Sequence, residues 1–181
     1  MRHHRDKITR LHRCAWIAAL PIALCACSPA VNWRVIDLNA TGVSVLMPCK
    51  PETGQRDVPL QDVAEVMDMR SCELHGATYT VAWTRLPHPE QGEEAISRWW
   101  GASAHSAQAD MTGNLQAWPL THATAAWRWQ GAGFNTKRQP IEVALAYALV
   151  GPMAIQMAVY SPQGEAPDRA AFWAGLSLPR R

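Results

Sequence analysis

From Thr78 to Thr84 the chain alternates with period two. Tyr79, Val81 and Trp83 share one face and threonines fill the other, the pattern of a half-exposed strand. Val63 to Leu74 precedes it, with Val66, Cys72 and Leu74 on one parity and Met67 and Met69 on the other, so neither face reads as fully wet. His75-Gly76 between them predicts a tight turn and an antiparallel hairpin. Upstream, Trp33–Leu38 and Val43–Met47 are β-rich and flank a cluster of turn formers at Asn39–Gly42, which predicts a second hairpin. Lys50 to Pro59 is polar, carries Pro51, Gly54 and Pro59, and reads as a loop.

The period changes after Leu86-Pro87-His88-Pro89. From Glu90 to about Ala109, Ile96, Trp99, Trp100, Ser103, Ala104 and Ala107 recur at three and four spacing, which predicts one amphipathic helix. Glu93 and Glu94 lie near its start, where acids offset the positive end of the dipole. Gly113-Asn114 breaks the chain. Short strands follow at Leu115–Trp118, Ala125–Gln130, Ile141–Val150 and Met153–Tyr160, the last two joined by Gly151-Pro152. Pro167 to Leu176 predicts a short closing helix with Phe172, Trp173 and Leu176 on its apolar face. Hairpins with segregated helices define an α+β fold: an antiparallel sheet with one long helix and a short C-terminal helix packed on it.

The first 30 residues follow a different logic. Five cations (Arg2, Arg5, Lys7, Arg10, Arg13) lead into an apolar run from Ala15 to Ala26, and Leu24-Cys25-Ala26-Cys27 is followed by Ser28-Pro29-Ala30. That is the layout of a secretory leader. The run falls well short of the roughly 20 residues of a spanning helix, and it contains Pro21. The ending resembles a bacterial lipobox. By that resemblance Cys27 is lipidated and becomes the first mature residue, and Ser28 in place of an Asp implies sorting to the outer membrane, facing the periplasm. The expected organisation is a leader over 1–26, a lipidated tether over 27–32 and a single α+β domain over 33–181. The membrane partner is then the lipid anchor itself.

Composition changes meaning after this division. Five of the 17 Lys and Arg and one of the 15 acids precede Cys27, leaving 12 cations and 14 anions. The formal charge of +2 thus belongs to the leader, and no basic stripe remains for nucleic acid. With Cys14 and Cys25 in the leader and Cys27 lipidated, Cys49 and Cys72 form an even pair in an oxidising compartment, which predicts a disulfide.

The order of segments is also familiar. A Trp-led strand, Gly42-Val43-Ser44-Val45-Leu46-Met47-Pro48-Cys49-Lys50-Pro51, a long strand with its hairpin partner, a helix, and the ending Ala171-Phe172-Trp173-Ala174-Gly175-Leu176 resemble small proteobacterial lipoproteins of the Mog1/PsbP-like fold, which includes DcrB-like lipoproteins. That resemblance implies a fold and no catalytic residue.

Candidate chemistry is sparse. The chain has no Gly-x-Ser-x-Gly elbow, Walker loop, dinucleotide fingerprint or His-Glu-x-x-His pattern. His75, His88, His105 and His122 are scattered, and none lies four residues from another. Met67 with Met69, and Met153 with Met157, are thioether pairs of the kind soft metals take, but same-face methionines are also what a buried strand face produces. No metal and no cofactor is expected. Eight tryptophans follow the leader, and Trp127 and Trp129 share one strand face, a candidate ligand surface. Two readings stand: a non-catalytic envelope lipoprotein that acts through contacts with an envelope protein or surface, and a small-molecule or glycan-binding module built on Trp127 and Trp129.

Overall fold

The computed structural model describes residues 31–180 except Ala40, Val63, Met111 and Ala166. The expected leader, its expected cleavage point and the expected lipidation site Cys27 lie outside the described residues.

Hairpins form where turn residues separate β-rich runs. β1 (Arg34–Asp37) pairs antiparallel with β2 (Ser44–Met47), with Val35 opposite Leu46. β4 (Glu65–Leu74) pairs with β5 (Ala77–Arg85) across a turn in which His75 and Gly76 both take positive φ, 50° and 75°. Glycine tolerates that geometry without a Cβ penalty. β8 (Pro140–Val150) and β9 (Met153–Pro162) pair across Gly151-Pro152 over their whole length.

One segment departs from the expected loop over Lys50–Pro59. Glu52–Val58 is strand β3, paired with β4 from Glu52–Ser71 to Val58–Glu65. It is an edge strand whose side chains are mostly exposed. With neither face buried, it lacks the apolar alternation by which strands are read, and its backbone pairing holds it. A charged edge of this kind also blocks further strand addition. β6 is reduced to Gln116–Ala117, and β7 (Ala125–Phe134) runs four residues beyond the expected Gln130. Two glycines in that extension have packing reasons. A Cβ on Gly131 would stand 2.6 Å from the Trp129 ring, and one on Gly133 would stand 2.5 Å from the Ala107 carbonyl oxygen. The end of the long helix thus approaches β7 closely enough for the Phe134 amide to donate to the Ala107 carbonyl at 2.8 Å.

The main sheet has seven antiparallel strands in the order β3-β4-β5-β9-β8-β7-β6. Its two faces carry separate cores. On one face lies α1 (Gly92–Ser106), entered through a 3-10 turn at Pro89–Gln91. Its Ala95, Ile96, Trp99 and Ala104 pack with Val143, Leu145, Tyr147 and Leu149 of β8. On the other face, Val45 and Met47 of the first hairpin and Phe172, Trp173 and Leu176 pack with Val81, Trp83, Ile155, Met157 and the alternate β8 residues Ala144, Ala146 and Ala148. β8 therefore presents large residues to one layer and alanines to the other. α2 (Arg169–Ala174) is capped by Asp168, whose carboxylate accepts from the Ala171 amide at 2.9 Å. Immediately after α2, β2 pairs with the chain at Gly175 and Ser177. A Cβ on Gly175 would fall 2.3 Å from that of Leu46. Residues from Val31 onward cluster as one unit. The arrangement is α+β, as the segment order predicts.

Candidate functional site

Cys49 follows β2 directly and Cys72 lies in β4. Their sulfurs are bonded, with Cα atoms 5.9 Å apart. The bridge fastens the small hairpin to the main sheet. Cys72 is buried, and its register partner Tyr79 stacks edge-on against Phe172 at 5.3 Å. The disulfide thus joins three elements at one corner of the core.

The Trp127–Trp129 surface is corrected by the packing. Both rings do share a strand face, but it is the face covered by α1. Trp129 is buried and meets Trp100 at 6.1 Å, and Trp127 is half-buried against the same cluster. The physical reason is non-local: period two fixes that the pair stays together, and the helix arriving from 92–106 decides that it is covered. No exposed tryptophan ridge forms there. The indole N–H groups of Trp99, Trp100 and Trp129 are buried with no acceptor among the described residues.

The scattered titratable groups stay scattered. His75 and His122 occupy positive-φ turns. His88 faces Glu90 at 3.4 Å, and its backbone is clasped by Gln61, whose amide donates to the His88 carbonyl at 2.8 Å and accepts from its N–H at 3.0 Å. Among the described residues no group of three or more His, Cys, Asp or Glu converges on a point. The methionine pairs lie on opposite faces of the sheet: Met67 and Met69 belong to the α1 layer, Met153 and Met157 to the hairpin layer.

One polar network is buried beneath α1. The Gln156 side-chain amide donates to the Ser103 hydroxyl at 2.8 Å and to the Tyr147 hydroxyl at 2.7 Å. Burial raises the Tyr147 pKa well above its ordinary 10.0, against the smaller lowering effect of its hydrogen bonds to Ser103 and Gln156. An unfolded tyrosine ionises near pH 10, whereas this one keeps its proton when folded. Its contribution to stability is complete below pH 10 and is lost as pH rises above it, by at most about 1.4 kcal/mol per pH unit. Tyr147→Phe should flatten the alkaline fall of unfolding free energy measured by denaturant titration, at a cost of about 1–3 kcal/mol at neutral pH from the weakened network. Tyr79 and Tyr160 are shifted upward by burial too, so a residual alkaline slope should remain. Parallel pH curves for wild type and variant would refute this assignment.

A cleft of about 810 Å³ opens where the β1–β2 turn overhangs β4 and β5. Asn39 and Thr41 form one wall, Val66, Asp68 and Trp83 the floor, and Arg85 the rim. Arg70 lies 5.1 Å from the Trp83 ring and donates to Asn39 at 3.3 Å, while Asp68 accepts from Gln55 at 2.7 Å. Asp68 and Arg70 are thus engaged with neighbours, and the described lining brings no nucleophile–base pair together.

A second feature escaped the sequence reading: Arg128, which stands between two tryptophans in sequence and shares its strand face with Gln130. Its only signal was parity, because Trp127 and Trp129 facing one layer puts Arg128 in the other. Among the described residues no helix is long and apolar enough to cross a membrane. No protein-family model matches the chain, and no curated protein matches it significantly.

Proposed function

We propose that this protein is a non-catalytic lipoprotein of the cell envelope. Cys27 carries the lipid and holds the α+β domain at the outer membrane's periplasmic face, where it acts through contact with another envelope protein. The observation that carries this reading is the conjunction of the Leu24–Cys27 motif with the Cys49–Cys72 bridge, a bond at home in an oxidising compartment. The contact half is supported by β1, which among the described residues pairs only with β2 and leaves its other backbone edge open, with Val35 69% exposed beside it.

The test is made in cells. Palmitate should label the wild-type chain and not Cys27→Ala, and the variant should leave the membrane fraction, because two acyl chains suffice for stable anchoring and no other anchor is invoked. A photocrosslinker at position 35 should capture an envelope protein, while one at Glu93 on the exposed side of α1 should not. Label retained on Cys27→Ala would end the anchoring half, and equal capture at both positions would end the contact half.

A further inference from the structure

On the α2 side of the sheet, β7 presents Arg128 and Gln130. Their register partners on β8 are Ala146 and Ala144, so the floor beside them carries no bulk. The loop before β6 supplies Asn114, β6 supplies Gln116, and α2 supplies Arg169 and Trp173. Together with Arg128 and Gln130 these line a cleft of about 330 Å³, within the size range of small-ligand pockets.

The two arginines differ in state. Arg169 is engaged by the Glu142 carboxylate. Arg128 has no hydrogen bond or ion pair among the described residues, and its Nε is buried without a partner. Its guanidinium lies 4.0 Å from the centre of the Trp118 ring, which fixes the plane and leaves the N–H edges to be satisfied by something else. Partial burial strips water from it and lowers its pKa, yet a guanidinium stays charged at neutral pH.

We propose that this cleft binds a carboxylated sugar, with the carboxylate on the Arg128 guanidinium and the ring hydroxyls on the amides of Asn114, Gln116 and Gln130. A guanidinium edge matches a carboxylate through two parallel hydrogen bonds. Each amide offers both donors and an acceptor, which suits hydroxyl or acetamido groups that do both. Among the described residues the lining contains no carboxylate, so a zwitterionic amino acid would leave its ammonium unpaired. Of the two cations in that described lining only Arg128 is uncompensated, so a monoanion balances the site where a phosphate dianion would not.

The test uses the purified full-length chain in detergent and calorimetric titration with matched pairs: glucuronate against glucose, and N-acetylmuramate against N-acetylglucosamine. At least one acid should bind with a dissociation constant below about 1 mM, and roughly tenfold or more tighter than its neutral partner. Arg128→Gln should bring the acid down to the neutral level. Gln130→Ala, a change at an exposed side chain, should weaken the acid several-fold in a chain whose far-ultraviolet spectrum is unaltered. The proposal is overturned if neither acid binds, if neutral partners bind equally, if Gln130→Ala and a folded Arg128→Gln both bind as wild type, or if inorganic phosphate or acetate competes as strongly as the sugar acids.

Discussion

Trp99→Ala is expected to cost about 3–5 kcal/mol of folding stability, the range for deleting a large aromatic from a core. Trp99 is 1% exposed and stands at the centre of the α1 layer, edge-on to Tyr147 at 5.9 Å. Its removal empties the space between the helix and β8, and neither can collapse into it. α1 is fastened at its middle by the Arg98 contact to the Leu60 carbonyl, and at its finish by Ala107 against β7. One feature of the wild type works in the opposite direction. The Trp99 indole N–H has no acceptor among the described residues, and an unpaired buried donor costs about 1–3 kcal/mol. Trp99→Phe keeps most of the ring and removes that donor, so its cost should stay below about 1.5 kcal/mol. Chemical denaturation of both variants checks the argument. Equal losses for Phe and Ala would mean that ring volume is not what Trp99 contributes.

Breaking the Cys49–Cys72 bridge, by reductant or by the double change Cys49→Ala with Cys72→Ala, is expected to lower stability by roughly 3 kcal/mol. The bond closes a segment with a sequence separation of 23, and cross-linking a loop of that size removes about this much free energy from the unfolded chain's advantage. The native fold should persist. β2 is also held by backbone bonds to Gly175 and Ser177, and Val45 and Met47 remain buried in the core without help from the sulfurs. The signature is therefore a lower denaturation midpoint with a slope equal to or steeper than that of the wild type, because the unfolded chain without its cross-link exposes more surface. A midpoint that does not move would show that the hairpin's own packing supplies all of its attachment. A lost transition would show that it supplies too little.

Most elements were legible because their signals are local. The alternation at Tyr79, Val81 and Trp83, the turn at His75-Gly76, and the helical spacing of Ile96, Trp99 and Ser103 each lie within a few residues of what they organise. The disulfide was legible by elimination, once the leader's cysteines were set aside. β3 was not legible, because its strand character resides in backbone bonds to Glu65–Ser71 and its side chains have no layer to face. The candidate ligand surface was misplaced for a related reason. The sequence paired Trp127 with Trp129 on one face without saying which layer would lie over that face.

By itself, then, the chain determined most of its strands, its turns, its helices and its paired cysteines, since dihedral preference and periodicity act over short distances. Only the tertiary structure decided that β3 pairs at the sheet edge, that α1 covers Trp129, that the alanines of β8 open a floor beside Arg128, and that Arg169 finds Glu142 while Arg128 finds no carboxylate among the described residues. Those outcomes depend on which residues from distant segments meet across the sheet, and burial and charge pairing are settled by that meeting.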